Sequence, residues 1–439
     1  MRNQFNSFGG RDLKPIKFVK ENFIKKNPIA SVFTLAMAIS AVIFFMVYLI
    51  AGNGRFVDLF FSRCADIFMD FFNSIRDAAQ WSEVYTVRKV IYPPMANLIF
   101  LILSRFTPAA YNHTDFEERL EWSGYSSPMM LVFLFFLICC LVLFYLISRW
   151  IKGTQNQKFI FALFMTLSVP VLYMVERGNL IVLCLIALII YGATYNSTSR
   201  VAREIGLIAL AFTFSLKLYP VVFGWFLLVD KRFKDALRCF IYGMIMLIVP
   251  SFFFGGPACL IYVFKNIFSF SSGSGSSTVD VIARYLHIPS MVVSILAYAW
   301  VLVCAACLFI APYVHKERWK SWLLCCLLIL TVPSLTALYS WAFIIVPFIM
   351  LSNDTKGMEL ESIRKDRKLW LYVVFMVIPF IYIPARFTFY VTNNTFAVYI
   401  FTAVLSIFMV VDTVLRSREF VRECQTKGIK LIDGIKTRF

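Results

Sequence analysis

Asp66 and Asp70 stand on a short amphipathic stretch just after the first long apolar run, and a Tyr92-Pro93-Pro94 turn follows them. A carboxylate in a cavity at the membrane face can take the proton of a sugar hydroxyl as it attacks, which is general-base chemistry. The bland alternative is that both acids only solvate the polar side of a helix. From 64 to 80, Asp66, Asp70, Asn73 and Asp77 recur at helical spacing, with Phe68, Phe71, Phe72 and Ile75 on the other side. This predicts a helix lying in the membrane interface, its rings in lipid and its carboxylates toward an aqueous cavity.

Two later corners carry cations. Glu176-Arg177-Gly178-Asn179 interrupts two apolar runs, where a charge at bilayer depth costs about 2.5 to 3.5 kcal/mol and less near the interface. Something should offset that cost: an arginine fork suits a phosphate, and a glycine admits a closely approaching ligand. A helical hairpin with Glu176 paired to Arg177 or a neighbour is the plain alternative. Lys217, in Leu216-Lys217-Leu218-Tyr219-Pro220, is flanked by apolar residues and followed by a helix-breaking proline. Its ammonium either snorkels to headgroups or holds an anionic lipid phosphate. Glu176, Asn179, Tyr92 and Tyr219 would line the same cavity, with Arg284 and Arg386 as weaker phosphate contacts. Residues 271 to 277, rich in serine and glycine, form a flexible connector or a lid. The histidines, His113, His287 and His315, are too scattered for a metal cluster, so no metal and no cofactor is expected.

The elements that must position these side chains are membrane helices. The chain has 439 residues, 60% of them hydrophobic, and a mean hydropathy of +0.75. Its apolar runs are continuous, and in lipid the backbone satisfies its polar groups only as helix or closed barrel. The expected fold class is all-α, a polytopic transmembrane protein. Apolar runs lie near 29 to 51, 129 to 148, 159 to 175, 180 to 195, 205 to 216, 218 to 230, 239 to 254, 290 to 313, 321 to 335, 339 to 351, 369 to 385 and 396 to 415, which makes about twelve spans. Several are shorter than a bilayer, and broken helices of that kind usually line a cavity.

The net charge of +18 does not point to nucleic acid, because the basic residues fall in short tracts between the spans. They report topology. The arm before 29, the loops with Arg149 and Lys152, Arg200 and Arg203, Lys231 and Arg232, Lys316 and Arg318, Arg364 and Lys365, and the tail after Arg416 would all be cytoplasmic. That parity requires the run at 91 to 106 to re-enter or lie flat. The protein is then a multi-pass cell-membrane protein with both termini inside and its acids and corner cations outside. Cysteines inside apolar runs behave as small hydrophobes rather than a disulfide or zinc framework, and the first run reads as an uncleaved anchor. The organisation expected is a basic arm at 1–28, a catalytic transmembrane module at 29–254 with an outer loop at 52–128, a flexible outer loop at 255–289, C-terminal transmembrane helices at 290–415 and a basic tail at 416–439.

A span, an outer helix with Asp-Phe-Phe-Asn (70 to 73), Tyr-Pro-Pro (92 to 94), Glu-Arg-Gly-Asn (176 to 179) and Leu-Lys-Leu-Tyr-Pro (216 to 220), in that order, resembles the family 87 glycosyltransferases. These are polyprenyl-phosphate-mannose-dependent mannosyltransferase-like enzymes of the GT-C fold. The likeness covers roughly the first 240 residues. It implies an inverting transfer of one sugar, mannose in the enzymes it resembles, from a polyprenyl-phosphate donor to a hydroxyl of a glycolipid or cell-surface glycan at the outer face. By motif the catalytic base maps onto Asp70, with Asp66 the close competitor, and the donor-phosphate contacts map onto Arg177 and Lys217. The acid-containing segment at 107 to 128, and Glu-Arg-Gly-Asn where many relatives carry a glutamine, depart from the family pattern.

Other classes remain open on sequence. A lipid-linked sugar flippase or transporter also uses broken helices and buried charges, but no internal repeat is present and the charges gather at one face. A polysaccharide polymerase would share the outer cations and should carry larger arginine-rich outer loops. A scaffold protein would have no use for the paired acids.

Overall fold

The computed structural model describes residues 26–50, 67–107, 126–273, 283, 286–332, 338–383 and 393–428. Among them every regular element is a helix. In chain order these are α1 (Pro28–Ile50), α2 (Met69–Ala79), α3 (Pro94–Ser104), α4 (Ser126–Trp150), α5 (Gln155–Thr166), α6 (Val169–Arg177), α7 (Ile181–Thr194), α8 (Arg200–Leu216), α9 (Trp225–Val229), α10 (Phe233–Ser251), α11 (Cys259–Gly273), α12 (Ser290–Val314), α13 (Arg318–Thr331), α14 (Ile345–Asp354), α15 (Leu360–Lys365), α16 (Arg367–Val377) and α17 (Asn393–Thr426). Short 3-10 segments at Tyr219–Gly224 and Leu338–Ile344 lead into α9 and α14.

Among the described residues, 5 helices are long and apolar enough to cross a bilayer, or 6 if α5 and α6, bent by 46° at their break, count as one. This is fewer than the twelve expected from apolar runs. The long ones are α1, α4, α10, α12 and α17, and they carry rows of exposed large side chains such as Leu35, Val42, Phe133, Ile138, Ile245, Leu296 and Leu302. Such surface needs a hydrocarbon solvent. One shorter run loses its apolar surface to protein instead. Helix α7, 14 residues and so about 21 Å long, buries Ile181, Val182, Cys184, Leu185 and Leu188 and packs along α8. Helix α3 has 11 residues, about 17 Å, too short to cross.

Helix α2 also departs from expectation. Phe71, Phe72 and Ile75 are fully buried in protein rather than lipid; the Phe71 ring meets those of Phe100, Phe135 and Phe136 at 5.8, 5.4 and 5.8 Å. An amphipathic pattern reports that one face is apolar, not what that face meets.

One contiguous core joins these helices. At one end, buried Asn27 gives its amide to the Lys152 carbonyl (2.7 Å) and takes hydrogen bonds from the Ala30 amide (3.1 Å) and the Ser352 hydroxyl (2.9 Å). A Thr154–Gln157 capping box opens α5 beside it. Asp230 is held by Arg318 (2.7 and 3.0 Å) and by the Tyr195 hydroxyl (2.6 Å) at the far ends of α7 and α9. These fixed ends orient α5 to α8 so that their other ends, Arg177, Asn179 and Lys217, stand away from the basic loops.

Candidate active site

The Glu176–Asn179 corner is shaped by how α6 must stop. Gly178 takes φ +67°, and the amides of Gly178 and Asn179 turn back to the carbonyls of Val175 (2.9 Å) and Met174 (3.0 Å), a glycine-ended helix. Helix α2 then docks on that end: the Phe68 amide donates to the Glu176 carbonyl at 2.6 Å. A Cβ on Gly178 would stand 2.7 Å from Phe71 Cβ and 3.1 Å from the Phe68 backbone. The glycine expected to admit a ligand therefore admits the start of α2, and so sets where Asp70 stands.

Asp70 lies in the first turn of α2 and is half-buried. Arg177 Nη2 donates to its Oδ1 at 2.7 Å, and Asn179 Nδ2 to its Oδ2 at 2.8 Å. Asn179 is 2% exposed, and its side-chain oxygen accepts the Ile181 amide at 3.1 Å. It therefore caps α7 and fixes the carboxylate at once. Arg177, expected to hold phosphate, is paired here with the expected base. Glu176 is buried and contributes its carbonyl to the α2 junction.

The Tyr92-Pro93-Pro94 turn is held by side chains that sequence reading did not single out. The Tyr92 carbonyl accepts from the Tyr85 hydroxyl (3.1 Å) and from Asn97 Nδ2 (3.2 Å), and Pro94 starts α3 at the one position where a missing amide costs nothing. The Tyr92 hydroxyl then reaches Asn179 Nδ2 at 3.5 Å. Lys217 ends α8, its amide bonded to the Thr213 carbonyl at 3.2 Å before Pro220 and the 3-10 segment turn the chain. Its Nζ sits 5.2 Å from the Tyr92 ring and 5.5 Å from the Tyr339 ring. Among the described residues no carboxylate is within ion-pair distance of Lys217, though the Asp70 charge reaches it. Two cation–π contacts, each worth about 0.5 to 2 kcal/mol, offset only part of the water an ammonium loses. An anion would complete its environment.

Tyr339 and Tyr173 were not anticipated. Tyr173 lies one turn before Arg177 on α6, so helical spacing contained the signal. Tyr339 comes from the 3-10 segment that packs on α6, and its ring stacks on Tyr173 at 5.9 Å. Nothing local in its sequence marks it. Tyr219 packs edge-on to Phe343 at 6.0 Å. Asp66, Arg284 and Arg386 lie outside the described residues, as does most of the loop at 271 to 277; His287 is exposed ahead of α12.

The result is a carboxylate held by a buried amide, two cations from separate helix corners, and a wall of tyrosines. It can accept a proton on one side and bind an anion on the other.

The model of glycosyltransferase family 87 matches residues 91–337. Arg177, Asn179 and Lys217 fall inside the match, and Asp70 and Tyr339 flank it. No curated protein and no solved structure matches the chain.

Proposed function

Because the chain belongs to glycosyltransferase family 87, we propose that this membrane glycosyltransferase moves one hexose, such as mannose, from a polyprenyl-phosphate carrier to a hydroxyl of a glycolipid or glycan at the extracytoplasmic face. The observation that carries the reading is that Asp70 pairs with Arg177 and is linked through Asn179 and Tyr92 to Lys217.

In the proposed reaction the acceptor hydroxyl gives its proton to Asp70 as its oxygen attacks the anomeric carbon from the face opposite the phosphate. The bond from that carbon to the phosphate oxygen breaks with inversion, and the polyprenyl phosphate leaves with the electron pair. Negative charge grows on the departing phosphate, where Arg177 and Lys217, in a site walled by tyrosine rings, would stabilise it most. Tyr92 and Tyr339 keep Lys217 aimed.

A lipid-borne donor needs an apolar surface for its tail, and one lies along the helix that ends at Lys217. A cavity of about 560 Å³ lies among α8, α9, α10 and α12, lined by Phe214, Val221, Gly224, Trp225, Phe240 and Phe309. It begins one residue after the Tyr219-Pro220 corner, and Val221, Phe240 and Phe309 on its wall are exposed. A prenyl chain attached to a phosphate at Lys217 would run along α8 toward it, past Phe214 and Leu210.

The test is purified protein in liposomes with a labelled polyprenyl-phosphate sugar and a glycolipid acceptor. Label should pass to the acceptor with inversion at its anomeric carbon. Movement of the intact lipid-linked sugar across the bilayer, with no bond cleaved, would replace this reading with a transporter.

A further inference from the structure

Asp70 and Arg177 are bonded to each other at 2.7 Å, although the proposed reaction needs each for something else. We propose that Arg177 is a shared ligand: it occupies Asp70 until a donor arrives, then turns to the donor's phosphate, so that donor binding releases the oxygen that takes the acceptor's proton. This inference rests on the function proposed above and adds an order of events to it.

The two oxygens of Asp70 are held by groups of different mobility. Oδ2 is bonded to Asn179 at 2.8 Å, and Asn179 is itself pinned by the Ile181 amide at 3.1 Å and 2% exposed. Oδ1 is bonded to Arg177 at 2.7 Å, and the Arg177 side chain is 20% exposed on a long stem at the last position of α6. When Arg177 swings away, Asn179 cannot follow. The carboxylate stays in place with Oδ1 open, which makes Asn179 a positioning residue.

Electrostatics decides which anion Arg177 prefers. Asp70 and the phosphate of a sugar-phosphate-lipid each carry one negative charge, but a phosphate between the corners also meets Lys217, which has no carboxylate partner among the described residues. The phosphate therefore gathers two cations where Asp70 gathers one. After transfer Asp70 loses its proton, and once the lipid phosphate has diffused away it pairs with Arg177 again. An acceptor that arrives first finds the base occupied, so binding is ordered with the donor ahead.

The test uses farnesyl phosphate, a short isoprenyl monophosphate, and protein in nanodiscs of zwitterionic lipid. Asp70→Asn, which keeps shape and removes the charge, should bind the probe about tenfold tighter than wild type while losing turnover, a coupling within the usual range. Arg177→Ala should bind more weakly, and Asp70→Asn with Arg177→Ala together should match Arg177→Ala alone, because the gain needs the arginine. Equal or weaker binding by a folded Asp70→Asn variant that still fails to turn over would overturn the shared-ligand role and leave the proposed reaction standing. Failure of every form to bind the probe, with no transfer from a polyprenyl-phosphate sugar, would overturn both.

Discussion

Asp70 Oδ1 and Arg177 Nη2 meet at 2.7 Å across 107 residues of sequence, and the contact exists because α6 ends on a glycine against which the start of α2 can lie. The corner that supplies the cation also builds the platform for the acid. Acid and cation are therefore coupled mechanically as well as electrostatically.

Gly178→Ala tests that coupling. The new Cβ would stand 2.7 Å from Phe71 Cβ, and the φ of +67° disfavours any side chain. The left-handed backbone costs about 1 to 2 kcal/mol and overpacking about 1 to 3 more. Unfolding temperature in detergent should fall by several degrees, with transfer activity falling further because Asp70 shifts. A variant with unchanged stability and rate would show that α2 does not depend on this junction.

Lys217 should act on the donor rather than on the fold. Lys217→Met retains the stem among the tyrosine rings and removes the charge, so the unfolding midpoint should hold or rise while donor affinity falls about 10- to 100-fold, as for a lost charge-assisted contact. Tyr339→Leu should give a smaller loss in the same direction through the 5.5 Å ring contact. Equilibrium binding of a polyprenyl phosphate distinguishes the outcomes; a Lys217→Met protein that binds normally would remove this residue from the phosphate site.

The apolar cavity predicts chain-length discrimination. Gly224 borders it, and a Cβ there would touch nothing within 4 Å, so Gly224→Phe can fill the space without a backbone clash. The ratio of turnover with a long prenyl donor to turnover with a short one should fall about tenfold, in keeping with lost burial of about two methylenes. Equal losses for both donors would mean that the tail lies elsewhere.

Much of the site was legible in the sequence because its polar residues interrupt apolar runs, where every charge requires a reason. Asp70, Arg177, Asn179, Lys217 and Tyr92 stand together as their motifs suggested. The pairing of Arg177 with Asp70 was not legible, since spacing within one motif says nothing about a partner 107 residues away. Tyr339 was hidden for the same reason. The surroundings of α2 were not legible because Phe71 and Phe72 satisfy the same pattern whether they meet lipid or α3 and α4, and an apolar run such as that of α7 does not say that protein neighbours bury it.

The most direct measurement is single-turnover sugar transfer from a saturating polyprenyl-phosphate sugar by Asp70→Asn beside wild type, with folding matched by thermal unfolding. The amide cannot take the hydroxyl proton, so the rate of bond cleavage should drop about 10²- to 10⁴-fold. A folded, donor-saturated Asp70→Asn protein that transfers sugar at the wild-type rate would contradict the assignment of the base.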